Sequence, residues 1–321
     1  MRTSDRSGVT LVEMLVVVAI VGLLLALLIP AVQSVREAAR AATCQNNLRQ
    51  LGLAMLQHEE TYGRFPTGGW GYLWVGDPDR GAGPQQPGGW VFSILPYLEQ
   101  STLFTLGRGG TEDEKRESAA IVMQRPQPLF LCPSRRPIQL YPYNEPRPLR
   151  NADMVAEAAK SDYAANGGNK WFYIGQGPED LEEGDSGEYD WGDFSEATGI
   201  CHERSAVAFR QITDGASSTY MIGEKYRRNL DVYDMGDDQC MYVGHDMDTV
   251  RWADKDWPLY RDATVEEGFF SFGSSHPYAC HFVFVDGSVH AINYDIDVET
   301  HRRLANRKDG LPVDMDDLQE L

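Results

Sequence analysis

The chain has 321 residues, of which 48 are Asp or Glu and 29 are Lys or Arg, so its formal net charge is −19. This acidity argues against nucleic acid as a main partner, because phosphate binding needs a basic surface. It also argues against broad adhesion to an anionic lipid surface. The mean hydropathy of −0.41 excludes a multi-spanning membrane protein but is compatible with a single membrane span.

The first predicted element is an apolar helix near the N-terminus. Residues 14–29 are all apolar or glycine, and the block extends to 9–32 with few interruptions. A helix of about 20 apolar residues spans a bilayer, and the preceding Arg2 and Arg6 favour a cytoplasmic N-terminus. The three interpretations are a cleaved secretory signal, a plain signal anchor and a processed prepilin. A plain anchor leaves Glu13 unexplained, because a carboxylate in lipid is costly without a partner.

The segment around this glutamate carries a resemblance. Residues 7–15, Ser-Gly-Val-Thr-Leu-Val-Glu-Met-Leu, resemble the class III leader of type IV pilins and pseudopilins, which implies cleavage between Gly8 and Val9 and N-methylation of Val9 by a prepilin peptidase/methyltransferase. The family usually has Phe after the glycine, where this chain has Val9. Glu13 would then be the fifth mature residue, which in the family neutralises the N-terminal amine of a neighbouring subunit, as a buried carboxylate requires. Pro30 corresponds to the kinking proline of pilin helices.

The helical pattern continues beyond the predicted span. Apolar residues recur mostly at spacings of three or four from Val32 to Leu56, with charged and amide residues between them. This predicts an amphipathic helix to about Tyr62, ended by Gly63 and Pro66. A long N-terminal helix with a sheet against its second half is pilin architecture, so the predicted fold class is α+β and type IV pilin-like.

The predicted organisation follows from these boundaries: a leader at 1–8, a transmembrane or filament-core helix at 9–32, its amphipathic continuation at 33–62, and a β-rich head at 63–321. Within the head we expect helices at 112–124 and 151–161 and a solvated acidic loop at 178–198. Strands are expected at 207–212, 219–223, 268–272, 281–285 and 289–292. The last two flank Asp286-Gly287, a strong signal for a tight hairpin turn.

Several separated segments carry a second resemblance. Together they resemble the DUF1559 family of large pilin-like proteins, abundant in planctomycetes, and the resemblance covers about residues 8–293. The family has a C-terminal His-x9-Asp-Gly signature associated with prepilin processing, here His276, Asp286 and Gly287. The segments are 43–54, 62–66, 95–100, 130–134, 212–219, 222–224 and 272–276.

The signature residues are interpreted as structural. We expect His276 to cap or tie the entrance of the hairpin, Asp286-Gly287 to form its turn, and Asp214-Gly215 to form another turn. No enzymatic activity is predicted. Serines next to His276 supply the side chains of a hydrolytic triad, but a nucleophile adjacent to its base in sequence is not the usual triad geometry.

Cysteines and aspartates are the candidate bridging and metal-binding residues. The chain has five cysteines but lacks a Cys-x-x-Cys pair, which gives zinc little support. Outside the cytoplasm we expect Cys201 to pair with Cys240 or Cys280. No cofactor is expected; calcium is a weak candidate, because it binds several oxygens of a flexible loop, against the favoured interpretation of solvated surface acid. The calcium candidates are Asp231, Asp234, Asp237 and Asp238.

The main functional hypothesis is a structural subunit. It would sit in the inner membrane through residues 9–32, with a cytoplasmic N-terminus and a periplasmic head. After processing at Gly8 it would join other pilin-like subunits in a pilus-like or pseudopilus-like surface or secretion structure. The alternative is a membrane-tethered periplasmic or surface domain that binds a glycan or protein and does not polymerise, with tryptophans in glycine-rich loops available for stacking.

Overall fold

The computed structural model describes residues 11–228, 234–266, 268–311 and 313, and the chain divides into two compact units, Met1–Ala42 and Thr43–Leu321. The helices are α1 (Leu11–Tyr62), α2 (Trp90–Ile94), α3 (Ser101–Phe104), α4 (Glu112–Met123), α5 (Leu181–Asp185) and α6 (Val298–Ala305). The strands are β1 (Tyr141–Pro142), β2 (Glu157–Ala158), β3 (Tyr163–Asn166), β4 (Tyr220–Glu224), β5 (Val250–Arg251), β6 (Tyr260–Arg261), β7 (Gly273–Ser274), β8 (Ala279–Phe284) and β9 (Val289–Asn293).

The first unit contains the beginning of α1. Its apolar side chains are exposed, with Leu11 at 77% and Leu27 at 67%. Among the described residues, α1 is the helix long and apolar enough to cross a membrane, by length and composition. It continues through Pro30, although a proline removes a backbone donor inside a helix, and Ser34 Oγ donates to the Pro30 carbonyl at 3.1 Å.

The second unit is built on a five-stranded sheet of order β5-β3-β4-β8-β9. The β3/β4, β4/β8 and β8/β9 pairs are antiparallel, and β3/β5 is parallel. Two smaller sheets pair β1 with β2 and β6 with β7. Together with the helices, these sheets give the α+β, pilin-like fold that the sequence predicted.

The second half of α1 packs closely on this sheet. On the buried face of this helix, Leu48, Leu51 and Met55 are fully inaccessible to solvent. Between them, a Cβ atom added at Gly52 would lie 2.6 Å from Val283 Cγ2 on β8. The absence of a side chain at this position therefore sets how near the helix can come to the sheet.

Replacement of Gly52 by Val is expected to destabilise the head by about 1–3 kcal/mol, because the added atoms overpack a close helix–sheet contact. The measurement is urea unfolding of the full-length protein in detergent, followed by tryptophan fluorescence. Leu53→Val on the same helix is the matched control, since Leu53 is half exposed. Equal stability of the two variants would contradict the packing assigned to Gly52.

Several predicted elements are confirmed. The long helix ends at Tyr62 as expected, the helix expected at 112–124 is α4, and the strands expected at 219–223, 281–285 and 289–292 are β4, β8 and β9. Strands β8 and β9 pair as an antiparallel hairpin from Ala279↔Asn293 to Val283↔Val289. These helices and strands could be predicted from the sequence because their patterns involve residues that are close together in the chain.

Three predicted elements are wrong. Within 268–272, Ser271 and Phe272 form isolated bridges and no strand is present. Residues 207–212 contain a 3₁₀ turn at Phe209–Gln211, and 151–161 contains β2 instead of a helix. In the last segment, Ala159 donates its N–H to Met123 O at 2.8 Å and accepts from Met241 N at 2.9 Å. These contacts with distant segments hold the backbone extended, so tertiary pairing overrides the local helical propensity.

Candidate functional site

The predicted processing and assembly residues lie at the start of α1. Gly8 and Val9 fall outside the described residues. Glu13 lies in the first turn of the helix, where the positive end of the helix dipole favours a carboxylate. The apolar side chains on either side of it, Val12 and Met14, are more than half exposed. This unit therefore presents a carboxylate within an exposed apolar surface.

Both Asp-Gly pairs singled out in the sequence lie at turns of the chain. At the tip of the β8–β9 hairpin, Asp286 Oδ1 accepts hydrogen bonds from the N–H of Ser288 at 2.8 Å and from its hydroxyl at 2.6 Å. Gly287 has φ +85°, a conformation that glycine adopts without strain. These contacts close the turn between the two strands, and the N–H of Asp286 also donates to Ala216 O at 3.1 Å.

The second turn also has a long-range role. Asp214 lies in a turn, and Gly215 after it has φ +105°. The carboxylate of Asp214 accepts from the N–H groups of Asp309 at 2.6 Å and Gly310 at 2.9 Å. Asp214 therefore fixes the segment that follows α6.

His276 joins a buried cluster of four side chains. Its carbonyl accepts from the Tyr294 hydroxyl at 2.7 Å, as expected of a residue that ties the hairpin entrance. The imidazole ring of His276 contacts two other buried side chains: Nε2 lies 3.5 Å from Cys132 Sγ and 3.3 Å from Glu224 Oε1. Cys44 Sγ lies 2.9 Å from Cys132 Sγ. We call Cys44, Cys132, Glu224 and His276 the Cys-His-Glu cluster; one ligand-type atom from each lies within 4.8 Å of the others.

Each member of the cluster comes from a different part of the second unit. Cys44 lies on α1, and Glu224 is the last residue of β4. Cys132 follows a 3₁₀ turn, and its N–H donates to Asp162 Oδ2 at 2.7 Å. His276 lies between β7 and β8, where its N–H donates to Ser274 Oγ at 3.1 Å. Four separate segments thus converge on one interior point.

A neighbouring histidine fixes the carboxylate of the cluster. Oε2 of Glu224 lies 2.8 Å from the backbone N of His281, which donates to it, and 2.9 Å from His281 Nδ1. Both contacts use the same oxygen, so Oε1 is the atom that faces His276. Among the described residues, Oε1 makes no well-formed hydrogen bond, although Glu224 is fully buried.

The electrostatics of the cluster favour positive charge. The hydrogen bond with Cys44, together with burial, raises the pKa of the Cys132 thiol. Burial acts to raise the pKa of Glu224, but its close contacts with His276 and His281 outweigh burial and hold that pKa well below its usual range. Burial likewise acts to lower the pKa of His276, yet Cys132 and Glu224 raise it to about 11. The protonated form of His276 is therefore favoured beside this carboxylate.

The structure differs from the expected disulfide. All five cysteines lie within the described residues, and each is a buried free thiol. Cys240 Sγ lies 3.7 Å from Met123 O, and Cys280 Sγ lies 3.6 Å from Glu224 O. Cys201 is not bridged to either, because the thiols of Cys240 and Cys280 face separate backbone carbonyls.

The calcium candidates also differ from expectation. Asp231 lies outside the described residues. Asp234, Asp237 and Asp238 are buried, not solvated. Asp234 accepts from two backbone N–H groups, and the carboxylate of Asp237 is surrounded by three cationic side chains. Because cations of the chain already neutralise Asp237, this carboxylate belongs to an interior salt-bridge network. The cations are Arg136, Lys225 and Arg227.

Sequence reasoning missed three members of the Cys-His-Glu cluster. Cys44 and Cys132 are 88 residues apart, and Cys132 and His276 are 144 apart, so no short spacing reveals the group. One signal was present: segments 43–54, 130–134, 222–224 and 272–276 each hold one cluster residue. The resemblance to a family marks these segments, but it does not reveal the chemistry that their side chains share.

The comparisons with known families agree with the fold and the N-terminal unit. The prokaryotic N-terminal methylation motif matches residues 3–29, so this is a type IV prepilin-like protein, and the motif implies processing by a prepilin peptidase. The chain belongs to the family described as a protein of unknown function, DUF1559, whose model matches residues 33–299. Both families point to a pilin-like structural protein rather than an enzyme. No curated protein and no solved structure was found to match the chain.

Proposed function

We propose that the protein is a structural subunit of a pilus-like or pseudopilus-like assembly. It is cleaved after Gly8, N-methylated at Val9, and held in the inner membrane by residues 9–32 until it assembles. The observation that supports this most strongly is the methylation motif at 3–29 directly overlapping an apolar helix with exposed side chains. Burial of that apolar surface against lipid or neighbouring subunits supplies the driving force, about 25 cal/mol per Å².

Glu13 is the residue that selects assembly over simple anchoring. A carboxylate in the first turn of an apolar helix is costly in lipid unless a cation neutralises it. The methylated amine of a neighbouring subunit is such a cation, and it becomes available only after cleavage. The pairing therefore couples processing to subunit association.

The alternative of a tethered stacking domain receives less support. Trp70, Trp74, Trp90 and Trp252 are at most 1% exposed, so their rings pack in the interior. They are not presented to a glycan. Their burial favours a structural role for these four tryptophans, whereas Trp171 is 41% exposed.

The native N-terminus tests the processing step. Mass spectrometry of protein from its own membrane is expected to show a chain that begins at methylated Val9, because the peptidase cuts on the cytoplasmic side of the apolar block. An intact Met1 in cells with an active prepilin peptidase would refute the proposal.

Replacement of Glu13 by Gln tests the assembly step. The variant is expected to insert in the membrane normally but to enter fibres at least about tenfold less than wild type, because loss of a desolvated charge pair costs several kcal/mol. Incorporation is measured by immunoblot of sheared surface fractions against membranes. Glu37→Gln is the matched control, since Glu37 lies on the same helix beyond the apolar block and pairs with Arg40 of its own chain at a partly exposed position. Equal incorporation of both variants would remove the role assigned to Glu13.

A further inference from the structure

We propose that the Cys-His-Glu cluster is a binding site for one tetrahedral divalent metal ion, and that zinc is the ion it prefers. Two thiols, an imidazole and a carboxylate form a donor set that zinc binds in proteins. Cys44, Cys132 and Glu224 are fully buried and His276 is 2% exposed. The site lies outside the N-terminal processing segment, and metal binding there does not require assembly into a pilus.

The distances between donor atoms fit tetrahedral zinc at two edges. With the usual bond lengths, a tetrahedral site places thiolate sulfur and imidazole nitrogen about 3.5 Å apart, and imidazole nitrogen and carboxylate oxygen about 3.3 Å apart. The Cys132–His276 and His276–Glu224 distances are 3.5 Å and 3.3 Å. The Cys44–Cys132 distance of 2.9 Å is shorter than the corresponding edge of about 3.8 Å. A movement of less than about 1 Å, within reach of small χ1 rotations, opens the pair to that edge.

One oxygen of the Glu224 carboxylate is positioned to bind a metal ion. Backbone and ring nitrogens of His281 hold Oε2 of Glu224, while the buried Oε1 faces the cluster, where it contacts His276 Nε2 at 3.3 Å without a well-formed hydrogen bond among the described residues. An oxygen left in this state is unfavourable. A metal ion satisfies it, and His281 then orients a ligand from outside the coordination sphere, as such partners commonly do in metal sites.

Four protein ligands define a closed site, which is typical of structural and not catalytic zinc. Binding releases to solvent the protons of the two thiols and the proton that His276 carries on Nε2, so that both sulfurs coordinate as thiolates and the imidazole as a neutral ligand. The ion would join the second half of α1 to the segment after the 3₁₀ turn, to the end of β4 and to the loop before β8. It would therefore cross-link the head at the point where these segments converge.

Metal analysis of the full-length wild-type protein, purified in detergent without chelator, tests the proposal. One zinc ion per chain is expected by elemental mass spectrometry. After chelation, Co²⁺ is expected to restore one equivalent with thiolate-to-cobalt charge-transfer absorption. The absence of Zn²⁺ and Co²⁺ uptake would overturn the proposal. So would a Cys44–Cys132 disulfide in alkylated protein isolated from its own membrane.

Variants separate this site from other buried groups. Cys132→Ser is expected to lose the bound metal and the charge-transfer bands, whereas Cys201→Ser, which alters another buried thiol, keeps both. His281→Gln is expected to retain the stoichiometry but to weaken affinity about 10–100-fold, because it removes the partner that orients Glu224. Metal content unchanged in Cys132→Ser, or equally lost in Cys201→Ser, would contradict the assignment; if Cys132→Ser does not fold, the wild-type measurement still decides.

Discussion

Replacement of Asp237 by Asn is expected to destabilise the head by about 3–5 kcal/mol, because it removes the carboxylate that three cations share and leaves Arg136 with Asp162 and Lys225 with Asp248 as their remaining acidic partners. Asp237 Oδ2 lies 2.6 Å from Arg136 Nη1. The Lys225 ammonium and the Arg227 guanidinium each approach its carboxylate to 3.0 Å. Asparagine keeps the shape of the side chain, so the loss reports the charge and not a cavity.

The measurement is urea unfolding of full-length protein in detergent at neutral pH. Asp256→Asn is the matched control, because the same change at an exposed position should alter stability by less than about 0.5 kcal/mol. A loss at Asp237 no larger than at Asp256 would show that the network contributes nothing beyond surface charge.

The stability difference between wild type and Asp237→Asn is also expected to depend on pH. Burial acts to raise the pKa of Asp237, but Arg136, Lys225 and Arg227 outweigh it and lower that pKa well below its usual value. The stabilisation is therefore complete above the unfolded pKa of about 4 and is lost as pH falls through the folded pKa. The stability difference between wild type and Asp237→Asn should be constant from pH 7 to about pH 5 and narrow in more acidic solution. A difference that widens with acid would reverse the assigned sign.

Replacement of Gly199 by Ala is expected to cost about 3 kcal/mol or more, because its backbone lies against another backbone that cannot move aside. An added Cβ would lie 2.1 Å from Gly167 C and 2.3 Å from Gly168 N. The next two residues, Ile200 and Cys201, both donate their N–H groups to Asn166 O, at 2.9 and 3.0 Å. The methyl group would therefore push this segment away from the end of β3 and weaken both hydrogen bonds.

Gly175→Ala provides the matched control for this substitution. The nearest described atom to an added Cβ there is 3.7 Å away, in ordinary contact. Its unfolding midpoint in urea should stay close to wild type, whereas that of Gly199→Ala should fall clearly. Similar midpoints for the two alanine variants would show that the β3 contact can relax.

Local patterns predicted the elements that local forces specify. The apolar block, the amphipathic repeat and Gly63 predicted a helix ending at Tyr62, and Asp286-Gly287 predicted the β8–β9 hairpin. These features need only neighbouring residues, because helix periodicity and turn conformation are set over a few positions. By contrast, the extended backbone at 151–161 depends on partners far away in the chain.

For charge and ligand chemistry, too, some features follow from the sequence and others only from the tertiary structure. The sequence alone determined the class of protein, through an apolar helix with one early carboxylate, and the net charge of −19. Only the tertiary structure decided that Asp237 is a buried ion-pair partner, and that Cys44, Cys132, Glu224 and His276 meet at one point. The physical reason is that a counter-charge or a ligand set is defined by distance in space, and folding brings together side chains as far apart in the sequence as Cys132 and His276, which are separated by 144 residues.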